Sequence, residues 1–121
     1  MNTDLLFFNL TLKDEIKKLK KLILLSMREE SLINKEQFTE LPELLIQKNI
    51  LTQRIKINEL KKYFFWKKHK TLFTNPQNIN EKIQIAECNA LLAKQKKLAI
   101  KLEEINRENL GNLTKTKEVL F

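Results

Sequence analysis

The chain holds one glycine, one cysteine, one histidine and two prolines among 121 residues. One glycine cannot furnish a Gly-rich phosphate loop, a dinucleotide fingerprint, or the positive-φ turns of a many-stranded sheet. A single cysteine excludes an intramolecular disulfide framework and any Cys-cluster zinc or iron–sulfur site. A single histidine excludes paired-His metal motifs. The longest aliphatic run, Leu22–Leu25, falls far short of the roughly 20 apolar residues of a membrane span. These absences argue against a cofactor enzyme before any pattern is read.

What remains is helix-forming. Leu (22), Lys (20), Ile (12) and Asn (12) dominate the composition; Leu and Lys favour helices, and Asn serves caps and loops. With 42% apolar residues the chain can bury the core of one small bundle. A single all-α domain is therefore expected, an elongated antiparallel three-helix bundle of coiled-coil type. Leu5–Leu12 imitates the apolar part of a signal peptide, but Asp4 precedes it and neither a basic segment nor a small-residue cleavage site accompanies it. A cytoplasmic location is the expectation.

The spacing predicts a first helix over 3–34, with Leu5, Phe8, Leu12, Ile16, Leu19 and Ile23 recurring every three or four residues. Thr3 or Asp4 is its expected cap. A second helix is predicted over 39–73, capped by Thr39, with Pro42 in the first turn, where a missing N–H breaks no helical bond. Its apolar face carries Leu41, Leu44, Leu45, Leu51 and Ile55. Thr74–Asn80, with Asn75 before Pro76, is the one clear break. Asn78 or Asn80 then opens a third helix over 79–110, striped by Cys88, Leu91, Gln95, Leu98, Leu102 and Ile105. Gly111 is expected to stop or bend it, leaving 111–121 as a tail that is mobile or a short further helix.

Lys61–Lys70 packs five lysines around Tyr63, Phe64, Phe65 and Trp66. Such interleaving suits nucleic acid or an anionic membrane surface. The commoner origin is an amphipathic helix with two aromatics in the core and lysines flanking them, leaving Tyr63 and Trp66 as secondary partner-contact candidates. His69 has no histidine or carboxylate one helical turn away, so neither a metal ligand nor a catalytic base is expected there. Cys88, on the apolar stripe, reads as a small buried hydrophobe. Glu29–Glu30 and Glu103–Glu104 diverge by about 100° per residue around a helix and read as solvated faces. No nucleophile–base–orienter set is visible. The chain reads as a non-enzyme, with no cofactor, metal or catalytic residues.

The net charge of +8 is blocky. Residues 13–28 carry six basic and two acidic groups, 29–59 four and six, and 61–70 five lysines. Only Arg28, Arg54 and Arg107 offer the bidentate fork favoured for base reading. An acidic protein partner is thus preferred over nucleic acid, which stays a minority reading.

Beyond periodicity, Arg28-Glu29-Glu30-Ser31-Leu32, then Phe38, Leu41, Leu44-Leu45, Lys48, Leu51 and Ile55 resemble the FlgN-like flagellar export chaperones. That family's loose pattern has an E-x-x-L helix end, a turn, then L-x-x-L, a Lys three or four residues on, and a Leu three beyond. Leu102–Asn109, ending in Asn106-Arg107-Glu108-Asn109, looks like the family's approach to an Asn-x-x-Asn segment. The likeness covers roughly residues 20–115. Pro42, the Glu36-Gln37 region and the basic charge depart from the family pattern.

The resemblance implies a cytoplasmic chaperone that binds hook-associated (hook–filament junction) subunits. It would keep their amphipathic terminal helices soluble and pass them to the type III export apparatus. It also implies that the C-terminal part captures the substrate, which carries over to Leu98, Leu102, Ile105, Asn109, Leu110 and Leu113. Two other classes stay open: a structural coiled-coil subunit of a secretion apparatus, and a basic nucleic-acid or membrane-surface binder acting through residues 61–70.

Overall fold

A computed structural model describes the backbone of residues 2–120 and the side chains of 2–115. Four helices follow one another: α1 (Thr3–Asn34), α2 (Leu41–Lys68), the short α3 (Lys70–Thr74) and α4 (Ile79–Leu120). A 3₁₀ turn, Phe38–Glu40, leads into α2. The architecture is an all-α helical bundle, with no strand among the described residues.

α1 starts where Asn2, rather than Thr3 or Asp4, turns its side-chain oxygen to the Leu5 N–H at 3.0 Å. It ends in a Schellman turn. The Gln37 N–H donates to Leu32 O at 2.8 Å and the Glu36 N–H to Ile33 O at 3.1 Å, with Glu36 held at φ 56°. The expected cap Thr39 lies inside the 3₁₀ turn and caps nothing. Pro42 does occupy the first turn of α2. α4 is capped by Asn78, whose Oδ1 accepts from the Glu81 N–H at 2.9 Å.

Two expected boundaries move. The helix predicted over 39–73 breaks at His69, which has φ −120° and ψ 27°. The bend brings Phe73 back over Phe65 and Phe8, at ring-centroid distances of 5.9 and 5.8 Å. At the other boundary, α4 passes through Gly111 without interruption and continues to Leu120. Gly111 adopts no positive φ, so nothing in its backbone requires a stop. Of the expected tail, the side chains of 116–120 and all of Phe121 lie outside the described residues.

α1 is the central element. It touches both α2 and α4 along its length, while α2 and α4 make little direct contact. Cross-helix partners show the directions. Asn2 meets Gln84 and Ser26 meets Asn106, so α1 and α4 run parallel. Glu29 meets Lys48 and Asp14 meets Asn58, so α2 runs antiparallel to α1. Buried apolar residues run along α1 through Ile16, Leu19, Leu22 and Ile23, and a cluster closes each end. Phe8, Leu12 and Cys88 are buried with Phe65, Phe73, Leu91 and Leu92 around them at one end. Leu32, Ile33, Leu41 and Leu44 close on Phe38 at the other.

Candidate functional site

At the end where α1 turns into α2, three helices place polar side chains on one buried point. Ser26 and Glu29 come from α1, Lys48 from α2, and Asn106 and Asn109 from α4. Lys48 Nζ donates to Glu29 Oε1 at 3.1 Å and to Asn106 Oδ1 at 2.8 Å. Asn106 Oδ1 also accepts from Ser26 Oγ at 3.0 Å. Asn109 Nδ2 donates to Glu29 Oε1 at 2.7 Å and to Ser26 O at 2.8 Å. Ser26, Glu29 and Asn109 are buried. The Glu29 charge is thus neutralised by an ammonium and further bonded by an amide, the condition under which a buried carboxylate is tolerated. Asn109 Oδ1 has no hydrogen-bond partner.

This network floors an open groove of about 380 Å³. Ile33, Leu41 and Leu45 wall one side, and Leu110 and Leu113 the other. The groove exists because α2 and α4 both pack mainly on α1, and at this end meet each other through the Lys48–Asn106 hydrogen bond. Its walls are apolar; Ile33 and Leu41 are buried, whereas Leu45, Leu110 and Leu113 are open to water, Leu110 at 68% and Leu113 at 42%. Such a trough accepts the apolar side of an extended or helical segment.

The residues proposed for partner contact separate into three groups. Asn109, Leu110 and Leu113 meet at this groove. Leu98, Leu102 and Ile105 are half-buried along α4 and do not line it. Tyr63 and Trp66 stand exposed toward the far end of α2, where Tyr63 meets the Phe64 ring at 5.6 Å and Trp66 the Phe73 ring at 5.0 Å. Of the four consecutive aromatics Phe65 alone turns inward, stacked on Phe8 at 4.5 Å, rather than the expected two.

Several readings from sequence are corrected. Glu29, expected on a solvated face, is buried because its partners Lys48 and Asn109 come from other helices. His69 does face a carboxylate, Asp4 Oδ2 at 3.6 Å, brought from the start of α1. Lys62, grouped with the flanking lysines, is buried between Glu15 at 2.6 Å and Glu59 at 2.8 Å. Glu15 is wholly enclosed. Burial, together with the neighbouring Glu59 carboxyl, pushes the Glu15 carboxyl up to about 7 against the pull of Lys62. Cys88 is enclosed as expected, and burial raises its thiol to about 11.

The residues that sequence reasoning missed were marked by register. Phe8, Leu12, Glu15, Leu19, Leu22, Ser26, Glu29 and Ile33 recur at spacings of four and three and are all buried. Continuing the apolar rhythm through Glu15 and Glu29, instead of stopping at charge, would have placed both inside.

Among the described residues no helix is long and apolar enough to cross a membrane. Nor does any cluster of three His, Cys, Asp or Glu side chains there suit a metal ion. The fold and groove define an all-α bundle with an apolar trough over a buried polar knot. Comparison with protein-family models, curated proteins and solved structures finds no significant match.

Proposed function

We propose that this chain is a non-catalytic cytoplasmic export chaperone of the FlgN-like kind. Its role is to hold an amphipathic terminal helix of a flagellar hook-associated subunit in the α2–α4 groove until export. The observation that carries the reading is a convergence. Glu29, Lys48, Asn106 and Asn109, which lie far apart in sequence and belong to the stretches that resemble that family, meet at the floor of one groove. Their chemistry suits the task. A hydrogen-bonded polar knot ties three helices together, while Leu45, Leu110 and Leu113 offer exposed apolar surface that a substrate stripe can cover reversibly.

Co-expression with hook-associated subunits, followed by size-exclusion chromatography, tests this. A soluble hetero-complex is expected from the native chain. Leu110→Asp/Leu113→Asp should lose it with unchanged helical circular dichroism, because both side chains already face water. Folded native protein that forms no complex with any hook-associated subunit refutes the reading.

A further inference from the structure

α2 carries apolar residues on two faces: Leu41, Leu44 and Leu51 are buried on the side turned to α1, and a second set is exposed. The side turned to α1 includes the buried polar residues Asn58 and Lys62, whereas the opposite side carries Ile46, Ile50, Ile57, Leu60 and Phe64, each between 47% and 63% exposed. With Gln53 these five fall at 46, 50, 53, 57, 60 and 64, spacings of four and three that repeat without a slip. At 100° per residue the six occupy an arc of about 80°, the width of a coiled-coil seam and narrower than an ordinary core-facing stripe. The seam is about 27 Å long at the helical rise. Its rim is mostly basic, with Glu43 the acid at its N-terminal end. Arg54, Lys56, Lys61, Lys67 and Lys68 flank it, all exposed, and none of them forms an ion pair among the described residues.

We propose that this outward face of α2 docks an amphipathic helix of another protein whose apolar seam is flanked by Glu and Asp. Heptad register selects a helix as the occupant, because knobs at every third and fourth residue match the holes of a facing helix. The rim selects its charge. Acidic flanks meet the five cations, whereas a second copy of this chain would set cation against cation along both edges of the seam. A bilayer is the poorer match, since Gln53 sits in the middle of a stripe too narrow for broad insertion. The surface lies opposite the α1-facing side of α2 and apart from the groove, and it gives the basic, aromatic segment 61–70 a use. Lys61, Lys67 and Lys68 supply the rim and Phe64 the end of the seam.

The test titrates the full chain against labelled four-heptad peptides, read by fluorescence anisotropy. One peptide has Leu at the seam and Glu on its flanks; its counterpart has Lys on the flanks. The Glu peptide is expected to bind, and the Lys peptide about tenfold or more weakly. Ile57→Gln/Leu60→Gln should weaken the Glu peptide by about tenfold while leaving the circular dichroism unchanged, since both side chains are exposed. Arg54→Glu/Lys56→Glu/Lys61→Glu should invert the preference. Leu110→Asp/Leu113→Asp should retain peptide binding, which separates this seam from the groove. The proposal is overturned if the Glu peptide fails to bind or the two peptides bind alike. It is also overturned by a dimer in sedimentation equilibrium that Ile57→Gln/Leu60→Gln abolishes, which would make a second copy the occupant. Binding to phosphatidylcholine vesicles with roughly one-third phosphatidylserine, without peptide binding, would equally overturn it in favour of a membrane.

Discussion

Glu15 is the residue at which fold and solution conditions meet most directly. It is fully enclosed on α1 and faces Glu59 and Lys62 from α2. Two carboxylates sharing one ammonium cannot both ionise at little cost, so the enclosed one keeps its proton to about pH 7 while Glu59 is held below its ordinary range. Between pH 4.5, the ordinary value for Glu, and about 7 the native state therefore binds a proton at Glu15 that the unfolded chain has released. Stability from this group is complete below that window and lost as pH rises through it. Glu15→Gln, which stays neutral, should escape the loss. Its urea-unfolding free energy relative to the native chain is expected to grow from pH 4.5 to 7, reach about 1–3 kcal/mol, and stay level above. A difference that is flat across that range would mean that Lys62 keeps Glu15 ionised throughout.

At the scale of elements, the α1–α2 turn carries a local cost with a simple remedy. Glu36 sits at φ 56°, the left-handed position of a Schellman turn that glycine fills without a clash. Glu36→Gly should raise unfolding stability by about 1 kcal/mol, seen as a higher urea midpoint with an unchanged slope. The same turn shows what could be read in advance. α1 was legible from end to end, because an unbroken apolar rhythm and polar flanks leave no other economical structure, and Pro42 and Asn78 marked the starts of α2 and α4. The break at His69 was not legible, since its cause is tertiary: Phe73 returns to Phe8, a residue 65 positions earlier. Gly111 misled for the converse reason, as a helix long enough to dock on α1 carries one glycine at a cost of about 1 kcal/mol. Leu110 and Leu113 were legible as surface because they lie past the regular stripe. The groove itself was not, because Ile33, Leu41 and Leu45 become its opposite wall only when α2 leans on α1.

Across the whole molecule, stability is unevenly spread. α1 is buried on two sides, between α4 running parallel and α2 running antiparallel, so its amides can exchange only when a neighbour leaves. α2 has a single neighbour of substance. From Asn58 to Lys68 it is held by the Asn58–Asp14 hydrogen bond at 3.1 Å, the Lys62–Glu15 pair and the stacked Phe65. Polar contacts of this kind contribute less net free energy than apolar burial, because water competes for each partner once the helix lifts. Native-state hydrogen exchange should therefore find residues 58–68 opening a few kcal/mol below the global unfolding free energy, with the middle of α1 at the global value. Raising the pH from 6 to 8 should lower the opening free energy of 58–68, after correction for intrinsic exchange, because Glu15 loses its proton over that interval. In Glu15→Gln this pH effect should disappear while the order of the helices stays the same. Equal protection of 58–68 and α1 at both pH values would mean that the bundle opens as one unit. The Lys62 cluster would then be as firmly held as the apolar ends.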